Sequence, residues 1–260
     1  MSTATRTAPP AAHRHSRASG SLATTGRVLA QLRHDPRTIA LLLVVPSVLL
    51  ALMSAIWTGT PAVFDRVGLV MLGVFPFVVM FLVTSIAMLR ERTSGTLERL
   101  LTTPLSRVAL LTGYGLAFGL VATLQAGVTT LVGFGLLGLD TAGPVGLVVL
   151  VAVVNALLGV ALGLLASAFA RSEFQAVQFM PVIVLPQFLL CGLLAPRAEM
   201  AGWLQAISDV LPMTYGVEAL EQVGANDSAT GTMVVDIAVV AGAALLALGL
   251  ASATLSRRTP

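Results

Sequence analysis

Six stretches of this chain are each long and apolar enough to cross a bilayer, and few folds remain open to a chain so built. A hydrocarbon core about 30 Å thick takes roughly 20 apolar residues per helical crossing. Residues 38–57 and 67–88 meet that length without a single Asp, Glu, Arg or His. Residues 108–138 form an uncharged run too long for one upright helix, read as a span over 112–136 with a lead-in, tilt absorbing some of the excess. Further spans are expected over 145–168, 176–194 and 233–255, the last carrying one acid, Asp236. Only 10% of the 260 residues are charged and the mean hydropathy is +0.92, whereas a soluble domain carries about a quarter charged residues. The fold class is therefore an all-α integral membrane protein with six transmembrane helices.

Six crossings put both ends on one side, and arginine says which. Positive residues near the spans are retained in the cytoplasm. With the N-terminus inside, thirteen of the fifteen arginines fall on inner segments and only Arg66 and Arg197 lie outside. A bacterial inner-membrane protein with both termini cytoplasmic is the expectation. Residues 1–21, rich in Ala, Ser, Thr, Pro and Arg, are expected to be a disordered tail, and 22–258 a single membrane domain. The first apolar run reads as a retained anchor rather than a cleaved signal.

Three stretches outside the spans carry the remaining information. Residues 22–37 suggest a short interfacial elbow helix, with Val28, Leu29 and Leu32 on one face, Arg27, Gln31 and Arg33 pointing away, and Asp35-Pro36 ending the pattern. The loop over 89–107 opens with Arg90-Glu91-Arg92 and breaks at Thr93-Ser94-Gly95. It then places Leu97, Leu100 and Leu101 at helical spacing before Pro104. That encodes a helix of about two turns, with Gly95 as N-cap and Glu98 at the positive end of the dipole. Such a helix is too short to stand alone and needs a surface, either the membrane interface or another protein. The outer segment 196–232 repeats Met200, Trp203, Leu204, Ile207 and Leu211 as an amphipathic helix, and Pro212 then leads into a second short helix over 217–222. Trp203 and Tyr215 suit the interfacial aromatic belt. Pro181 and Pro186 inside the fifth span raise the expectation of a broken or half-crossing helix there.

What is missing narrows the function. A chain without lysine has no phosphate-binding G-x-x-x-x-G-K-[ST] loop, so no ATP site of that kind is expected. The three histidines, His13, His15 and His34, all precede the first span, so no intramembrane Ser-His dyad or His-ligated metal is expected. No catalytic residue, metal or nucleic-acid partner is expected in this chain. The lone Cys191 excludes an internal disulfide. Asp236 is the single intramembrane acid, expected near the outer face within reach of water. The neutral polar residues Gln125, Asn155, Gln178 and Gln187 are of the kind that joins helices by hydrogen bonds.

Two ordered motifs on this frame resemble the membrane subunits of type-2 ABC exporters. The run Glu91-Arg92-Thr93-Ser94-Gly95-Thr96-Leu97-Glu98-Arg99-Leu100-Leu101-Thr102-Thr103-Pro104 is similar to that family's motif between spans two and three. The stretch from Cys191-Gly192 through Trp203-Leu204 to Leu211-Pro212-Met213-Thr214-Tyr215-Gly216 resembles its second motif, between spans five and six. The resemblance covers roughly residues 22–256. It implies a separate ATPase subunit carrying MgATP, two copies of each subunit, and a second permease, identical or not. It also implies an elbow helix along the inner leaflet, outer re-entrant or amphipathic helices capping the exit, and a coupling helix entering a groove on the ATPase. The coupling residues implied are Glu91, Arg92, Gly95, Leu97, Glu98, Leu100, Leu101 and Pro104, and the outer-gate residues Trp203, Pro212 and Tyr215. A lipophilic or amphipathic substrate such as a drug or lipid is suggested by Phe75, Phe77, Met80 and Phe81 on span two with Phe179 and Phe188 on span five, although each is also an ordinary core residue. Two other classes share part of this pattern: a proton-coupled carrier centred on Asp236, and a membrane anchor or immunity protein that transports nothing.

Overall fold

The computed structural model describes residues 17–95 and 107–254, and every regular element among them is helical. In chain order these are α1 (Arg17–Arg33), α2 (Pro36–Ile56), α3 (Pro61–Thr93), α4 (Arg107–Gly135), α5 (Val145–Ser167) and α6 (Glu173–Leu190). A 3-10 turn (Arg197–Glu199), α7 (Gly202–Ser208), α8 (Pro212–Ala225) and α9 (Gly231–Thr254) follow. Six of them, α2 to α6 and α9, are long and apolar enough to cross a membrane, as the charge-free runs require.

The ends of these helices differ from the apolar runs. α3 has 33 residues, about 50 Å at 1.5 Å per residue, and so overshoots the expected 67–88 span at both ends. It starts with Pro61 in the first turn, where no backbone donor is needed. α1 starts at Arg17, so residues 17–21 are helical and do not belong to a disordered tail. The cause is a small polar patch that continues the aliphatic face of Val28 and Leu32 towards the start of the helix, where it meets the same neighbour. Thr25 Oγ1 donates to the Gly113 carbonyl of α4 at 3.1 Å and the Ser21 and Thr112 hydroxyls bond at 2.8 Å. A Cβ on Gly113 would lie 2.5 Å from Thr24 Cβ, so only glycine admits this approach. α2 is capped by Asp35, which accepts from the Thr38 hydroxyl at 2.7 Å and amide at 3.2 Å; those bonds hold its carboxyl below the ordinary range.

α6 is unbroken through Pro181 and Pro186, contrary to the broken helix expected. Ser172 caps its start by accepting from the Gln175 amide at 3.2 Å. It stops at Leu190, four residues short of the expected end, and Gly192 at φ +96° provides the left-handed turn that leads the chain away. The outer segment also departs from expectation. The amphipathic run expected over Met200 to Leu211 is helical only over α7, and the second helix is longer than expected, starting at Pro212. α8 buries Met213, Val217, Leu220 and Val223 in the main core.

The core is centred on α3 and α5, whose backbones touch. A Cβ on Gly159 would meet the Phe77 carbonyl oxygen at 2.2 Å, and one on Gly163 the Phe81 carbonyl oxygen at 2.6 Å. These glycines, four residues apart on one face, are the small-residue spacing that lets membrane helices pack by contact alone. One turn earlier on the same face, Asn155 fills the space left by Gly73 of α3 and Gly216 of α8. Gln187 of α6 joins helices as its type suggested, accepting from the Met213 amide at 3.3 Å.

Candidate functional site

The last turn of α3 carries three charges in a row, and successive residues on an α-helix fan out by about 100°. Arg90, Glu91 and Arg92 accordingly reach three different elements. Arg90 forks onto Glu173 at the start of α6, Nε at 2.7 Å and Nη2 at 3.1 Å. Arg92 donates from Nη1 to the Ser167 carbonyl at the end of α5. Glu91 turns to α1, where its Oε1 accepts from Arg27 Nη1 at 2.8 Å and from Gln31 Nε2 at 3.4 Å.

Arg27 completes a cluster that joins α1, α3 and α4. Its Nη2 donates to the Tyr114 hydroxyl at 2.7 Å, and its guanidinium carbon lies 5.8 Å from the centre of that ring. Tyr114 is buried and continues into Phe118, with ring centres 6.3 Å apart. Burial acts to lower the Arg27 pKa, yet the Glu91 carboxylate and the Tyr114 hydroxyl outweigh it and raise the pKa above its ordinary value, so the charge stays on. Arg27 therefore points inward, not away from the apolar face as the helical wheel alone implied. Nothing in the spacing of 22–37 shows this, because the partners lie 64 and 87 residues away.

Ser94 and Gly95 end α3, with the Ser94 amide bonded to the Arg90 carbonyl at 2.9 Å and Gly95 at φ +71°. Gly95 thus closes α3, while the helix it was expected to cap lies outside the described residues. Of the residues expected to couple to an ATPase, Glu91, Arg92 and Gly95 stand at this root, Glu91 and Arg92 engaged within the chain. Leu97, Glu98, Leu100, Leu101 and Pro104 lie outside the described residues.

The aromatic stripe resolves into core and flank. Phe77, Met80 and Phe81 are fully buried side chains of the chain's own interior, because α3 presents that side to the other helices. Phe75, Phe179 and Phe188 are half-buried against the main core. At the other end of the molecule, Arg197 pairs with both Asp209 and Glu218, clasping α7 to α8, while Gln205 Nε2 donates to the Arg197 and Met200 carbonyls at 2.9 and 3.0 Å. Of the residues expected at an outer gate, Trp203 is exposed, Pro212 opens α8, and Tyr215 donates from its hydroxyl to the Asp209 carbonyl at 2.7 Å. Arg66 near the start of α3 meets Glu221 of α8 at 2.9 Å. Asp236 does not face water as expected: α8 covers it, it is 7% exposed, and its Oδ2 accepts from Gln222 at 3.1 Å. Among the described residues, no three His, Cys, Asp or Glu gather as a metal site.

Residues 21–223, from α1 through the loop after α3 and on to α8, match the family model described as ABC-2 type transporter. The chain belongs to the ABC-2 type transporter family. Within that family it resembles the probable multidrug ABC transporter permease YbhR of Escherichia coli (strain K12), 31% identical over 56% of this chain and 40% of that protein. The linearmycin resistance permease protein LnrN of Bacillus subtilis (strain 168) is 29% identical over 59% of this chain and 39% of its own length. YbhS of Escherichia coli (strain K12), also a probable multidrug ABC transporter permease, is 25% identical over 68% and 47%. This ABC-2 chain spans less than half the length of these curated relatives. It is a multi-pass membrane protein of the permease type.

Proposed function

We propose that the chain is the permease of an ATP-driven exporter in a bacterial inner membrane, both termini cytoplasmic, passing a lipophilic or amphipathic compound. Two copies of a separate ATPase, holding MgATP, drive it together with a second permease. The observation that carries this reading is the fastening of the last turn of α3 to α1, α5 and α6 directly ahead of residues 96–106. A segment that only lay on the membrane would need no such root. A segment that takes a push from an ATPase does, because the push is useful only if several spans receive it. Leu97, Leu100 and Leu101 fill the groove on the ATPase, Glu98 makes the polar contact, and Arg27, Glu91, Arg90 and Arg92 distribute the displacement. The multidrug and resistance names of the relatives support a drug or lipid as cargo.

The test is co-purification of the wild type and a Glu98→Ala, Leu101→Ala variant with candidate ATPases of the same genome, followed by ATP hydrolysis in lipid nanodiscs. One ATPase should bind the wild type, and the double variant should uncouple hydrolysis from substrate. Equal behaviour of the two proteins with every ATPase would sink the reading.

A further inference from the structure

Where α1 and α2 cross α3 and α4, the chain encloses a groove of about 660 Å³. Asp35, Arg90 and Glu91 line it at the start of α2 and the end of α3, and Leu42, Val45 and Val83 line it further along the same helices. From Asp35 to Val45 is ten residues of helix, a rise of about 15 Å, which is half of a roughly 30 Å hydrocarbon core. The groove therefore has a charged end and an apolar end separated by one leaflet's depth. Leu41 and Val45 are 63% and 40% exposed on the outside of α2, so its side opens towards lipid.

The charges at its polar end are unevenly satisfied. Glu91 spends Oε1 on Arg27 and Gln31, while its Oε2, buried beneath the polar end of the groove, has no hydrogen-bond partner. Asp35 accepts from the Thr38 hydroxyl and amide and from the Arg37 amide, and Arg90 acts on it by charge. Arg90 uses Nε and Nη2 on Glu173, and its Nη1 has donors left over. Two carboxylates with spare acceptor capacity beside one arginine with spare donors complement a head that carries an ammonium next to a phosphate.

We infer that this groove binds an inner-leaflet phospholipid with a primary-amine headgroup. The ammonium donates to Asp35 and Glu91, the phosphate meets Arg90, and an acyl chain lies along Leu42, Val45 and Val83. This deepens the exporter reading by placing an amphiphile at the root of the ATPase loop. Binding is measured without any ATPase, so the two readings fail separately.

The experiment is native mass spectrometry of the purified full chain in detergent with equimolar phosphatidylethanolamine, phosphatidylcholine and phosphatidylglycerol. The ethanolamine lipid should be retained about tenfold over the glycerol lipid, the ratio expected of one charge-assisted hydrogen bond, and over the choline lipid, whose ammonium has no donor. Val83→Trp and Val45→Trp, which fill the groove, should each abolish that adduct; Val45 is lipid-exposed, so its variant decides if Val83→Trp does not fold. Asp35→Asn keeps the helix cap and should lower the ethanolamine preference severalfold. Phosphatidylglycerol bound as well as phosphatidylethanolamine, or a monodisperse Val45→Trp variant that retains the adduct unchanged, would overturn the inference.

Discussion

Removing the Arg27 guanidinium should cost more than a surface ion pair is worth, because of what it strands. The Arg27 and Glu91 side chains are 29% and 11% exposed at a separation of 2.8 Å, between the fully exposed case, worth about 0–1 kcal/mol, and the fully buried one, where losing one partner costs about 3–5 kcal/mol. Arg27→Ala leaves Glu91 with only the 3.4 Å bond from Gln31 and takes the donor from the buried Tyr114 hydroxyl. A loss of about 2–3 kcal/mol follows from that intermediate burial. Glu91→Gln, which keeps an acceptor but not the charge, should cost about half as much. The Arg27→Met, Glu91→Leu pair should cost less than the sum of its single changes by about 1–2 kcal/mol, since no charge is left unpaired. SDS-titrated unfolding in detergent micelles measures all of these. The same variants, with the partner ATPase bound, should lose substrate-stimulated hydrolysis in the same order. Strict additivity of the two single changes, or an Arg27→Ala cost below about 0.5 kcal/mol, would refute the claim that this pair joins α1 to α3.

Three other outcomes follow from the packing. Gly159→Leu puts a Cβ against the Phe77 carbonyl, whose backbone cannot rotate aside; α5 has to move out by about 1 Å, and a melting measurement should show a loss of roughly 3 kcal/mol or no folded protein, while Gly146→Ala, with open space around it, should be neutral. Gly192→Ala forces a side chain into a left-handed turn, and the same measurement should show a loss of about 1–2 kcal/mol. Asp236→Asn retains the acceptor for Gln222, so efflux assays should find export within about twofold of wild type, whereas a proton-coupled carrier would lose all activity.

The existence of the spans was legible because hydrocarbon tolerates few charges, and a run without them declares itself. Their ends were not, because a helix does not stop where its charges begin. α3 runs on through Arg90, Glu91 and Arg92, each of which has a partner on another helix, and such partnerships have no local signature. The same reason hid the polar docking patch of α1: Ser21 read as tail, and Thr24 and Thr25 as elbow residues without a partner, until Gly113 is placed beside them. The prolines of α6 misled in the opposite direction, since a span can keep its course through a missing donor when its neighbours support it. The stripe from Phe77 to Phe81 showed bulk but not direction, and direction depends on Gly159 and Gly163, some eighty residues away.

The backbone contact at those two glycines has a mechanical consequence. Two helices held carbonyl against Cα cannot slide past each other without colliding, so α3 and α5 behave as one stiff beam. That beam is pinned near one end by Arg27 and Glu91 and near the other by Arg66 and Glu221. A beam of about 50 Å tilted by about 5° moves its far tip by about 4 Å. A nudge delivered at the Arg90–Arg92 end would arrive at α8 as a stroke of that size, with no unfolding anywhere between.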